Sequence, residues 1–286
     1  MSTSQVAMIF MTQNAGDEVT CLSPVDSGDS DMDSLFDEPC IPVHPIAIRT
    51  APPIPGLFFP PVFLPRELED EIATQCMHLY FEGRNVNQVM LFGRTTSDAG
   101  GDADDKDARM GKGLPPFLIS LLHYLSDVLR HSIPDALYNV LFPPRGAPSR
   151  ARQAIVNLYH PGEGITPHVD LLNRFDDGII GVSLRSGCVM TFERVAGKPT
   201  CEQERCHSDM VESQTRWDLH LPERSILVLS KDARYGWTHG IPGRTHDLVE
   251  SEDKEQEPRL VRRGTRLSIT FRWLLPGADI VGGPDP

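Results

Sequence analysis

The segment Arg266-Leu267-Ser268-Ile269-Thr270-Phe271-Arg272-Trp273 alternates strictly between two kinds of side chain. In an extended strand successive side chains leave opposite faces, so Leu267, Ile269, Phe271 and Trp273 make an apolar face and Arg266, Ser268, Thr270 and Arg272 a polar one. Two dispositions fit this pattern. Either the arginines face solvent, as charged side chains usually do, or the apolar face packs outward on a second layer and the arginines enter a cavity. In a cavity the planar guanidinium fork suits a ligand carboxylate.

Short β-branched and apolar runs at 154–159, 178–184, 188–194 and 225–230 precede this segment, separated by Gly, Pro and Asp. Several strands at that spacing predict a sandwich or barrel. The polar stretches 196–214 and 246–258 read as loops at its rim, and the Gly- and Asp-rich stretch 97–113 as another loop. Towards the N-terminus the pattern becomes helical. Leu68, Ile72, Cys76 and Leu79 recur every three or four residues after Pro65, and Leu118, Leu121, Leu122, Leu125 and Leu129 do so after Pro115 and Pro116. The expected class is therefore mainly β with N-terminal helices, α+β.

Of 286 residues, 27 are Lys or Arg and 40 Asp or Glu, a net charge of −13. That balance disfavours a mainly electrostatic grip on a polyanion. Residues 1–48 hold eight acids and no Lys or Arg, leaving −5 for the rest. With Ser, Asp and Gly dominating and no sustained period, residues 1–50 read as a disordered acidic tail, with 32–36 as a segment for a protein partner. The domain is expected over 51–286. No run approaches the roughly 18 apolar residues of a membrane span. Six scattered cysteines and a start without basic or long apolar regions predict a reducing compartment, cytoplasm or nucleus. Nothing in the composition specifies an oligomeric state.

Two His-x-Asp pairs occur, His168-Val169-Asp170 and His207-Ser208-Asp209. An imidazole and a carboxylate at that spacing supply two of the three ligands of a facial triad for non-haem Fe(II). The first pair follows the strand-like Asn157-Leu158-Tyr159 and a Pro161-Gly162 turn, whereas the second lies in a polar insertion with no strand pattern. His239, between the 225–230 run and the arginine strand, is the candidate third ligand. Cys201, Cys206 and His207 offer a weaker alternative, a structural zinc site lacking a second cysteine pair.

In this order, Asn157-x-Tyr159, His168-x-Asp170, His239-Gly240-Ile241 and Arg266 to Arg272 resemble the AlkB family of Fe(II)- and 2-oxoglutarate-dependent dioxygenases, over roughly 55–275. The stretch 235–244 with the arginine strand is most similar to the oxygenase domains of tRNA wobble-uridine hydroxylases. The resemblance implies a double-stranded β-helix, or jelly roll, consuming 2-oxoglutarate and O2 at Fe(II) to hydroxylate or oxidatively demethylate a base. It implies His168, Asp170 and His239 as metal ligands, Arg266 and Tyr159 on the distal cosubstrate carboxylate, and Asn157 and Arg272 at the metal end. It further implies a lid near 90–94. Where DNA-repair members carry an acidic residue two positions after the metal Asp, this chain has Leu172, so RNA, especially tRNA, is expected over duplex DNA. Arg145, Arg150, Arg152, Arg259, Arg262 and Arg263 are the basic residues available for it. The alternatives on the same scaffold are a protein or small-molecule hydroxylase and a non-catalytic binding module.

Overall fold

In a computed structural model the protein is described over residues 9–10, 45–95, 107–196, 214–253 and 255–278. Two antiparallel sheets face each other. The larger has strand order β1-β3-β4-β13-β6-β9-β2 and the smaller β5-β10-β7-β8. The larger contains β1 (Ile9–Phe10), β2 (Leu57–Phe58), β3 (Gln88–Arg94), β4 (Ala151–Tyr159), β6 (Phe175–Leu184), β9 (Ile226–Leu229) and β13 (Arg266–Leu274). The smaller contains β5 (Ile165–His168), β7 (Cys188–Arg194), β8 (Arg216–Leu221) and β10 (Trp237–Ile241), and β11 (His246–Val249) pairs with β12 (Arg259–Arg262) alongside. The helices are α1 (Arg66–Cys76), α2 (Ala108–Gly111), α3 (Pro116–Leu129), α4 (Asp135–Leu141) and α5 (Lys231–Tyr235). This is the expected jelly roll with N-terminal helices. Among the described residues no helix is long and apolar enough to cross a membrane.

The arginine segment forms β13, paired with β4 on one side and β6 on the other. Its Leu267, Ile269 and Phe271 are at most 1% exposed, in one core with Ile72 and Cys76 of α1 and Leu118, Leu121 and Leu122 of α3. Each such side chain contributes about 1.5–3 kcal/mol by leaving water. Helices thus cover the outer face of the larger sheet, and the polar face of β13 turns inward, towards the smaller sheet. The second disposition holds.

Four local expectations are corrected. Leu79 is exposed, because α1 ends at Cys76 and widens into a π-helical turn, Met77–Phe81, which turns Tyr80 and Phe81 inward instead. Residues 90–94 are not a lid but part of β3, in register with β4. The 246–258 stretch is not all loop, since β11 lies within it. Residues 47–50 belong to the fold: Ala47 is fully buried, the Ile48 N–H donates to the Asp218 carbonyl, and Arg49 donates to Glu250. Ile9–Phe10 pairs with Val89 and Met90 of β3. The remaining tail expectations, the 32–36 segment, residues 97–106 of the Gly- and Asp-rich loop and Cys201, Cys206 and His207 lie outside the described residues.

Candidate metal and cosubstrate site

His168 and His239 lie directly opposite each other across β5 and β10. Their ring centroids are 4.5 Å apart. Asp170, 6% exposed just beyond the end of β5, points its Oδ2 at His239 Nε2, 3.7 Å away. The ligand atoms of the three residues all lie within 4.8 Å of one another, and among the described residues no other His, Cys, Asp or Glu group comes together in this way. Two donors about 2.1 Å from one ion at right angles sit about 3 Å apart, so small closures complete a facial triad. The structure thus brings the three expected ligands together.

Backbone chemistry explains the local motifs. A Cβ on Gly240 would stand 2.8 Å from the Pro167 nitrogen and 2.9 Å from its Cα, so only glycine after His239 lets β10 lie this close to β5. His168 Nδ1 donates to the Thr166 carbonyl at 2.9 Å, leaving Nε2 with its lone pair free for a metal. Burial first, then the neighbouring His168 and Arg234, push His239 down to about 3, which keeps its ring neutral and able to ligate at physiological pH.

The inward residues of β4 and β13 line a cavity of about 390 Å³ that reaches from these ligands to Arg266. Arg266 is 6% exposed; its Nη2 donates to Ser183 Oγ at 2.9 Å, whereas Nε and Nη1 are buried without a partner. Leaving a buried cation's donors unpaired is costly, and two free guanidinium N–H groups facing a cavity are the natural receptor for a carboxylate. Tyr159 lies opposite Arg266 in register, its ring 5.5 Å from the guanidinium carbon. Burial raises the Tyr159 phenol, and Arg266 only partly offsets this, so the hydroxyl stays protonated as a donor. The donor set fits a dicarboxylic acid whose far carboxylate rests on Arg266 and Tyr159.

At the metal end, Arg272 pairs with Asp170 through Nη1, donates from Nε to Gln153 Oε1 at 2.8 Å, and lies 3.6 Å over the Phe175 ring. Burial lowers its guanidinium to about 9, still a cation at neutral pH. Asn157 Oδ1 accepts from Gln88 Nε2 at 2.7 Å, which fixes the amide and turns its NH2 to the cavity. Asn157, Tyr159, Arg266 and Arg272 all line it, as the resemblance implied. Gln88, Gln153 and Arg234 were missed. An isolated Gln or Arg carries no local signal of its own, and only the strand parity of Gln153 with Asn157 could have marked it.

Two expected basic contacts are corrected. Arg263, 5% exposed, is not a surface cation: its Nε and Nη2 bind Asp247 at 2.6 and 2.7 Å, and Arg244 Nε and the Val189 N–H donate to the same carboxylate. Arg152, 2% exposed, lies 3.9 Å over the Trp273 ring and donates to the Leu141 carbonyl. Arg150 pairs with Asp176. Arg145, Arg259 and Arg262 remain exposed, as are Leu171, which lines the cavity, and its neighbour Leu172, at 59% and 51%.

The sequence profile of the 2OG-Fe(II) oxygenase superfamily matches residues 65–272. An uncharacterized protein of Acanthamoeba polyphaga mimivirus is 36% identical over 138 residues, 48% of this chain and 55% of that protein. The tRNA (carboxymethyluridine(34)-5-O)-methyltransferase alkbh8 of Xenopus tropicalis is 31% identical over 179 residues, 59% of this chain and 23% of the relative. The alkylated DNA repair protein ALKBH8 homolog of Arabidopsis thaliana is 30% identical over 237 residues, 82% of this chain and 62% of the relative. The matched region thus covers less than two thirds of each of these relatives.

Proposed function

This chain belongs to the 2OG-Fe(II) oxygenase superfamily, on its AlkB-like side, and from that premise we propose that it hydroxylates or oxidatively demethylates a nucleic-acid base, in RNA or tRNA rather than duplex DNA. The observation that carries the reading is one cavity with two ends: the His168, Asp170 and His239 triad at one, and the unpaired Arg266 guanidinium at the other. Fe(II) with 2-oxoglutarate and O2 supplies oxidation of a substrate C–H bond, the keto acid leaving as succinate and CO2. The protein's own part is placement. Arg266 and Tyr159 seat the far carboxylate and fix the direction of the cosubstrate, and Asn157 and Arg272 bracket the end beside Asp170. The buried walls around them exclude bulk water.

The preference for RNA draws on the name of the Xenopus tropicalis relative, a tRNA methyltransferase, although the Arabidopsis thaliana relative is named for alkylated DNA repair. It draws also on Leu172, next to the cavity-lining Leu171, a position with no carboxylate to organise a charged, alkylated base. A base must leave its stack to enter such a cavity, which is cheapest in loops and single strands. The exposed Leu171 and Leu172 and the net charge of −13 favour a second reading, hydroxylation of a protein side chain. Incubation with Fe(II), 2-oxoglutarate and, separately, a tRNA pool, alkylated oligonucleotides and a peptide pool decides between them. Succinate release coupled to a mass change in the tRNA is the expected result. A gain of one oxygen in the peptide pool alone would replace the first reading by the second.

A further inference from the structure

Arg234 is among the most buried of the described side chains, 1% exposed, yet no carboxylate among the described residues touches it. Its terminal nitrogens go to three main-chain carbonyls, Nη1 to Asp170 at 3.0 Å, and Nη2 to Leu171 at 3.4 Å and Phe175 at 3.3 Å, while Nε is buried without a partner among the described residues. All three belong to the turn that carries the metal-ligating carboxylate to the cavity mouth. Burial lowers the Arg234 guanidinium and the more distant Asp177 and Asp176 only partly offset this, so the buried cation is expensive and a hydrophobic side chain would fill the space more cheaply. Its retention calls for a task that the carbonyl bonds perform.

That task follows from what else holds Asp170. The ladder between β5 and β10 fixes His168 against His239, but β5 ends at His168 and Asp170 lies outside it. Arg272 grips the Asp170 side chain. Its backbone is gripped by Arg234, which stands five residues before His239. The connection between those two residues is stiff. Gly236 N–H donates to the Asp232 carbonyl at 2.7 Å, Trp237 Nε1 to Asp232 Oδ2 at 3.2 Å, and Val195 N–H to the Gly236 carbonyl at 2.9 Å. At its start α5 is tied to β6, because Ser230 Oγ and the Lys231 N–H both donate to Asp177. We propose that Arg234 is a positioning residue: its guanidinium clamps the Asp170 to Phe175 turn to the His239 segment, and so sets the separation of two metal ligands, Asp170 from the turn after β5 and His239 from β10. A fork with five N–H donors can reach three divergent carbonyls from one side chain, which an ammonium cannot do with the same geometry.

This inference rests on the metal-site reading, and the test separates the two. Co(II), whose visible absorption reports the number and geometry of its ligands, is titrated into the wild-type protein and into Arg234→Lys, Arg234→Met and His168→Ala variants. Arg152→Lys serves as a matched control, since Arg152 is equally buried and also binds a main-chain carbonyl, but away from the ligands. Thermal unfolding confirms that each variant is folded. If Arg234 positions the ligands, Co(II) affinity falls about tenfold in Arg234→Lys and nearer a hundredfold in Arg234→Met. The absorption changes shape, and Arg152→Lys binds as wild type despite a lower melting temperature. Should Arg234→Met fail to fold, Arg234→Lys alone decides. Wild-type affinity and spectrum in Arg234→Lys would overturn the proposal, as would an equal loss in Arg152→Lys. A wild-type protein whose Co(II) spectrum is indifferent to His168→Ala would overturn the metal site itself.

Discussion

Replacing Arg266 by Met separates two effects that usually travel together. In the protein without cosubstrate, Arg266 is a buried cation with one neutral hydrogen bond, to Ser183, and two idle donors. Methionine has similar reach and no charge to desolvate, so Arg266→Met should leave the melting temperature of the ligand-free protein unchanged or higher. Cosubstrate binding should move the other way. Two charge-assisted hydrogen bonds from Nε and Nη1 to a carboxylate contribute about 1.5–3 kcal/mol each. At about 1.4 kcal/mol per tenfold, their loss raises the 2-oxoglutarate dissociation constant by about two to four orders of magnitude. Calorimetric titration of 2-oxoglutarate into Mn(II)-loaded protein measures the second effect, and thermal unfolding without ligand the first. A variant that binds 2-oxoglutarate as tightly as wild type, or one that is strongly destabilised without ligand, would refute the argument.

Gly240→Ala should push β10 off β5 at Pro167, and metal retention after dialysis should fall to the level of His168→Ala while the larger sheet still melts cooperatively. Asp247→Asn leaves Arg263 and Arg244 around a neutral amide and should cost about 3–5 kcal/mol, read from urea unfolding. Burial alone would raise the Asp247 carboxyl, but its bonds to Arg263 and Arg244 outweigh this and hold it below the ordinary value. Its contribution is therefore complete above about pH 4 and is lost as pH falls through the lowered folded value, a loss absent from Asp247→Asn. His220 is pushed down to about 4 by burial, helped by the charges of Arg49 and Arg263. The unfolded chain thus binds the extra proton first, and stability drops as pH falls from about 6.5 to 4 by about 3 kcal/mol. Unfolding free energies of His220→Gln should be flatter across that window.

The legible part of the fold was the part where burial follows period. β13 alternates because one of its faces meets helices and the other a cavity, and β7 is readable as an apolar run because residues on both of its faces are buried. What escaped was held by long-range polar contacts. β11 reads as loop because one of its two inward residues is Asp247, beside Val249, and its partners Arg244 and Arg263 make a charge a core residue without leaving an apolar signature. Arg152 reads as surface because Trp273 and the Leu141 carbonyl, which enclose it, are remote in sequence or attached to another element. At the site, spacing offered His168 and Asp170, strand order offered His239, and the roles of Arg266 and Arg272 came from the family resemblance. Arg234 and Gln153 gave no such signal, since their work is done on the backbone or side chain of another residue.

The placement of His168 directly opposite His239 makes the metal site a reading of strand register. A slip of one residue between β5 and β10 would turn one imidazole to the far side of the sheet, and the ion would lose a ligand. β5 is only four residues long, and its central Thr166 and Pro167 are exposed, so its own packing does little to select one alignment. An ion bound only in the right alignment stabilises that alignment by RT ln(1 + [metal]/Kd), about 2.7 kcal/mol at a hundredfold excess over Kd. Iron would then act during folding as a proofreader of the smaller sheet, and protein made under iron starvation should carry a frayed β5 that exchanges its amide protons faster than the rest of the barrel.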